Sequence, residues 1–232
     1  MRITFANKEN DYRVVKLLAE TPVKFDRLDK RGEVVLVGYL PGIEVGQSIG
    51  TLNYTTVLVD VRRYFMPVRP VTVAVRGLQY SRWGRNREHE RLAELYVGHP
   101  ELIHGYGAGS FDAVDCRELD ALGRCSVSKE LSGSGLMVAN LEVRAPVYGL
   151  FKGELDYGRV PVEIAGFFDA ALVWSKDTAP VFAGGTRQIF RSAGLAVRVN
   201  AFGLAIVEVS AARAFNRGGG GWQWQVGLRQ GF

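Results

Sequence analysis

Residues Trp222-Gln223-Trp224-Gln225-Val226-Gly227-Leu228-Arg229-Gln230-Gly231-Phe232 (WQWQVGLRQGF) decide the fold. Trp222, Trp224, Val226, Leu228 and Phe232 are apolar at every second position, with Gln230 the exception. Gln223, Gln225, Gly227, Arg229 and Gly231 alternate with them and are polar or glycine. Successive side chains of a strand point to opposite faces, so period two predicts a strand with one apolar and one polar face. At about ten residues it has the length a tilted strand needs to cross a bilayer.

The same alternation runs back through the chain. Ala205, Val207, Val209 and Ala211 alternate with Glu208, Ser210 and Ala212, and Ala193, Leu195, Val197 and Val199 with Ser192, Gly194, Arg198 and Asn200. Residues 164–174 place Asp169 on one face with Phe167 and Ala171. Residues 136–145 separate Asn140, Glu142 and Arg144 from Met137, Ala139, Leu141 and Val143. Residues 54–65 and 71–82 read as a hairpin turning at Met66-Pro67-Val68-Arg69, with proline expected in the turn and not in the ladder. The connections alternate between tight (Ala201-Phe202-Gly203) and longer (Ser175 to Arg187, Asn216 to Gly221), the rhythm of outer-membrane barrels. The expected fold is all-β: an antiparallel meander of about nine to ten strands, the later part of a transmembrane β-barrel, open or incompletely closed.

Residues 1–50 hold poorly defined early strands. Tyr12 to Glu20 and Glu33 to Leu40 are candidates, interrupted by Pro22, Pro41 and the charged run Asp26 to Arg31. Residues 51–232 read as the barrel part. Within it, alternation lapses between Trp83 and Gly135, which leaves a long loop at 84–135 holding both cysteines and all 3 histidines. A loop of that length in a compact domain is usually functional.

Composition excludes several classes. The 232 residues have a mean hydropathy of +0.00, and no segment offers the roughly 18–20 continuous apolar residues of a spanning helix. A barrel strand shows lipid only every second side chain, so its average looks polar. The net charge is +5, but the arginines are scattered singly and form no basic stripe for nucleic acid. Cys116 and Cys125 form no CxxC, which disfavours zinc; a local disulfide between them in an oxidising compartment is expected, with two unrelated free thiols as the alternative. No GxSxG, HExxH or phosphate loop is present, so no enzyme, cofactor or metal site is expected. Glu142 and Asp169 with His104 as base would be the candidate catalytic set, but charge pairing inside a barrel accounts for them better. The N-terminal MRITFANKENDYRVVK lacks the apolar core of a secretory signal. An exported barrel is therefore expected to be a C-terminal fragment; the competing expectation is a cytoplasmic protein.

Alternation also fits a soluble β-sandwich. Three features favour the barrel. Isolated charges sit mid-strand: Asp60, Arg62, Arg76, Glu142, Arg144, Asp169, Arg198, Glu208 and Arg229. Aromatics gather near strand ends, at Tyr64, Phe65, Trp174, Phe202, Phe215, Trp222, Trp224 and Phe232, where interface girdles lie. The chain also stops on an aromatic that completes the alternation.

From about Gly46 to Phe232 the sequence resembles the bacterial surface antigen family, the BamA/TamA-type outer-membrane assembly barrels. The matching pieces are YTTVLVDVRRYF at 54–65, VAVRG at 73–77, IHGYGAGSF at 103–111, ANLEVRAPV at 139–147, GFFDAALVW at 166–174 and the terminal WQWQVGLRQGF. The resemblance implies that this chain supplies the later barrel strands and that loop 84–135 folds inward. It implies a loop-anchor network of His104, Gly105 and Tyr106 at the tip with Glu142 and Asp169 on the following strands. His104 stands where the family has arginine; a histidine is smaller and titrates. It is expected to contact one of the two acids, against the alternative of a solvent-facing loop histidine. The terminal strand resembles the signal read by the assembly machinery, through Trp222, Trp224, Val226, Leu228 and Phe232. The implied function is assistance in inserting or translocating proteins at the bacterial outer membrane. Its partners would be outer-membrane lipid, unfolded outer-membrane proteins and assembly machinery. The alternatives are a barrel that anchors, or forms a pore for, an upstream periplasmic domain, and a soluble β-sandwich binding module.

Overall fold

The computed structural model describes residues 23–28, 34–40, 43–107, 110–111, 115, 129–153, 161–201, 205–218 and 220–230. Cys116, Cys125, Phe202, Phe232 and the candidate strand at 12–20 lie outside the described residues. Ten strands form one antiparallel sheet. They are β1 (Val23–Leu28), β2 (Val34–Leu40), β3 (Ile43–Ile49), β4 (Tyr54–Val68), β5 (Val71–Trp83), β8 (Gly135–Pro146), β9 (Val162–Trp174), β10 (Phe190–Ala201), β11 (Ala205–Ala214) and β12 (Trp222–Gln230). Among the described residues, the strands between β5 and β8 are two-residue pieces, β6 (Leu95–Tyr96) and β7 (Ser132–Gly133), paired with each other. Every strand of the large sheet lies beside its neighbours in sequence, and β1 and β12 are its two ends. Among the described residues, hydrogen bonds do not close the sheet into a barrel.

The alternation becomes two unlike faces. On the outer face Leu195, Trp224, Val226 and Leu228 are 66–75 % exposed. On the inner face Asp169, Ser192, Arg198, Glu208 and Ser210 are buried. The register makes this consistent from strand to strand: Leu195 stands between Gly166 of β9 and Ala211 of β11, and Arg198 stands directly opposite Glu208. A one-residue slip would send those charges outward, so the pattern pins the register.

Three local features depart from the sequence reading. The charged run at Asp26 does not break the chain: Val23–Leu28 is a strand, laddered to β2 with a register shift between Phe25 and Arg27. Pairing with a neighbour outweighs a weak local propensity. The hairpin of β4 and β5 turns at Arg69-Pro70, not at Met66 to Arg69. Pro67 therefore lies within β4, where the register shifts between Phe65 and Val68. Such a bulge frees a residue from the ladder, which suits one without an N–H. Third, β8 runs into a short helix, α1 (Val147–Lys152). Pro146 precedes it with φ −66°, and Gly153 ends it in the left-handed region at φ 69°.

The inner face is not polar throughout. Leu78, Leu136, Val138, Ala171, Val173, Phe190 and Ala214 of the strands pack with Val97, Ile103, Tyr106 and Leu131 of the 84–135 segment. The described residues of that segment form the second layer of the core. It lies on the inner face, and no other element supplies a comparable cluster there among the described residues.

An outer face immersed in lipid predicts a specific penalty. Leu195→Arg should destabilise the protein in phospholipid vesicles by about 2–4 kcal/mol, the cost of arginine near the bilayer midplane. Urea titration in vesicles measures it. Equal stability of variant and parent would show that Leu195 does not face lipid.

Candidate functional site

The loop tip is built from Ile103, His104, Gly105 and Tyr106, all buried. Strand side chains hold it by binding loop carbonyls. Arg76 of β5 donates to the Glu101 carbonyl (3.0 Å), and Asn140 of β8 donates to that of Leu102 (2.9 Å). Gly105 has φ +82°, and a Cβ there would come within 3.3–3.4 Å of the Ala214 and Ala212 side chains on β11. Glycine at the tip and alanines below it permit this close approach. The Tyr106 hydroxyl donates to the Arg191 carbonyl (2.9 Å), and its ring meets Phe190 edge-on at 5.5 Å.

His104 is the centre of the site. Its Nδ1 lies 2.6 Å from Asp169 Oδ2 and its Nε2 3.2 Å from Glu208 Oε1. Its backbone N–H also donates to Asp169 (3.1 Å), and its ring stacks on Phe167 at 4.0 Å. A carboxylate only accepts, so a ring with a carboxylate at each nitrogen satisfies both only as imidazolium. Burial pulls its pKa down, but the hydrogen bonds and charges of Asp169 and Glu208 outweigh that and lift it from 6.5 to about 9. Asn140 Nδ2 donates to the other Asp169 oxygen, Oδ1 (2.8 Å), and the Ser192 hydroxyl donates to Oδ2 (3.4 Å).

Of the residues expected in the anchor, His104, Gly105, Tyr106 and Asp169 are brought together. Glu142 is placed elsewhere: it takes a two-pronged bond from the Arg198 guanidinium of β10 and an ion pair from Arg144 at 3.8 Å. Arg198 Nε donates to Glu208, so Glu142 is linked to His104 through Arg198 and Glu208. Glu163 lies 3.3 Å from Arg198 and adds a further negative charge. The result is one chain of alternating charge from Asp169 through His104, Glu208 and Arg198 to Glu142. Glu208 is the second acid of His104, which the sequence signalled only as an isolated mid-strand charge. A second cluster stands apart, with Arg62 and Arg76 both bonded to Asp60 (2.8 Å each).

Trp222, Trp224, Val226 and Leu228 share the exposed outer face of β12 and take no part in the tip. Gln225, between them on the inner face, does: its Oε1 accepts the Gly105 N–H (3.0 Å). This arrangement holds charges by hydrogen bonds. A folded pKa above the unfolded value means that protonation stabilises the docked tip. That stabilisation is full below about 6.5 and lost as pH rises through about 9. Limited proteolysis of the 84–135 loop from pH 6 to 10 should show cleavage accelerating above about pH 9, with His104→Gln abolishing the step. A parent profile that is flat over this range would contradict the assignment.

Comparison with known proteins agrees with this architecture. The Omp85 superfamily domain matches residues 37–230. No curated protein matches the chain.

Proposed function

The chain belongs to the Omp85 superfamily, and from that premise we propose that it assists the insertion or translocation of unfolded outer-membrane proteins by offering β12 as a pairing edge. At the level of the family, this is a protein of the bacterial outer membrane with a role in membrane-protein insertion, and it is not an enzyme. The finer reading concerns substrate and means.

The observation that carries it is the state of β12. It pairs with β11 from Ala205↔Gln230 to Arg213↔Trp222, and it ends the sheet. The backbone N–H and C=O groups along such an edge can template an incoming strand. The outer face of β12 already carries the apolar alternation suited to lipid, so a strand of the same pattern added there would continue both faces of the sheet. No bond is made or broken in this process other than hydrogen bonds. In this reading the closing-strand residues Trp222, Trp224, Val226 and Leu228 keep the edge in the bilayer. The tip residues His104, Gly105 and Tyr106, docked on Asp169, hold the loop inside. The partners are unfolded outer-membrane proteins, the assembly machinery and the surrounding lipid.

A photo-crosslinking amino acid in place of Val226 should capture a strand of an outer-membrane protein during its assembly in cells. Depletion of the protein should lower the folded, heat-modifiable fraction of such proteins. Unchanged outer-membrane protein levels on depletion, with no crosslink, would overturn the proposal and leave an anchor or pore role.

A further inference from the structure

Arg217 lies in the connection from β11 to β12, outside the His104 network. Its side chain is 2 % exposed, and its partner Asp115 is 0 % exposed. A guanidinium has five N–H donors in a fixed fork, and here each finds an acceptor on the 84–135 loop. Nε donates to Asp115 (2.9 Å). Nη1 donates to the Gly105 carbonyl and to Ser110 Oγ (2.8 Å each). Nη2 donates to the Ser110 carbonyl and to Asp115. The guanidinium also covers the Phe111 ring at 4.8 Å.

Further bonds join the same two pieces of chain. The Gly105 N–H donates to Gln225 in β12 (3.0 Å), and the Asn216 N–H donates to the Tyr106 hydroxyl (3.2 Å). The loop tip therefore grips β12 and the connection leading into it from the inner side. Along its length, β12 otherwise has β11 as its strand partner among the described residues.

We propose that Arg217 is a positioning residue that fixes the edge strand β12 to the loop tip, so that the loop sets where the edge stands. The importance of that edge rests on the functional reading above; the coupling itself is a property of this chain. A planar fork aimed at two backbone carbonyls and a carboxylate specifies one relative placement of the two segments, which a lysine, a point charge on a flexible stem, does not. The clasp holds no histidine, so it does not depend on the proton that His104 loses.

Amide hydrogen exchange of the full chain in lipid nanodiscs, without substrate, tests the coupling. Arg217→Ala should speed exchange of the β12 amides by about tenfold or more while residues 190–199 keep their protection, since local opening is separable from global unfolding. Arg217→Lys should lose most of the same protection. At pH 10 the parent should retain protection in β12. An equal rise across all strands, or no change in β12, would overturn the proposal. If Arg217→Ala does not fold, Gln225→Ala decides: faster exchange confined to β12 supports the coupling, and unchanged β12 exchange overturns it. Exchange is read without substrate, so failed substrate crosslinking leaves this result standing, and the reverse also holds.

Discussion

The docking of His104 on the Asp169 carboxylate is the interaction on which the rest of the structure depends. Asp169 is 1 % exposed in the middle of β9, with an apolar ring beside it at Phe167. A carboxylate in that position is costly unless its oxygens are bonded. Asn140 and Ser192 supply part of what it needs, and the loop supplies the rest through one ring nitrogen and one backbone N–H of His104. Without the loop, the inner face would carry a carboxylate with its strongest partner removed. Breaking a buried ion pair by removing one member costs about 3–5 kcal/mol. The loop is thus held by an electrostatic demand of the sheet as well as by its own apolar side chains.

That demand spreads through shared partners. Glu208 serves both His104 and Arg198, and Arg198 in turn neutralises Glu142. Arginine bridges several carboxylates because its fork is fixed and its charge permanent, whereas the histidine offers two donors at opposite ends of a ring. The loop tip itself carries an imidazolium, and guanidinium groups stand around it on β10 and in the β11–β12 connection. Part of the hydrogen bonding at the tip is therefore sensitive to pH.

The apolar contacts act in the same direction with a different reach. Ile103, Tyr106, Val97 and Leu131 are each fully buried against the strands. Dispersion and burial are non-directional and hold the loop against the sheet at large. The polar contacts at Asp169, Gln225 and Arg217 decide where along it the tip sits. A loop held this way joins the centre of the sheet to its last edge.

Much of the fold was legible because a strand in a two-faced sheet writes its faces into the sequence with period two. The outward Trp222, Trp224, Val226 and Leu228 and the inward Asp169, Arg198 and Glu208 follow from alternation alone, as do the limits of the long loop at Trp83 and Gly135. Where the ladder is irregular, period two carries less: the strand at Val23–Leu28, the bulge at Pro67 and the turn at Arg69-Pro70 depend on the neighbouring strand. The candidate site was legible only in part. Motif order singled out His104 and Asp169, but nothing in the spacing distinguishes Glu208 from Glu142 as the second acid. The sequence by itself determined which side chains face inward, since that depends on parity along each strand. Only the tertiary structure decided which inward charges meet, and that Arg217 closes on Asp115 across 102 residues. Those pairings depend on strand register and on the path of a non-repetitive loop, which no local pattern records.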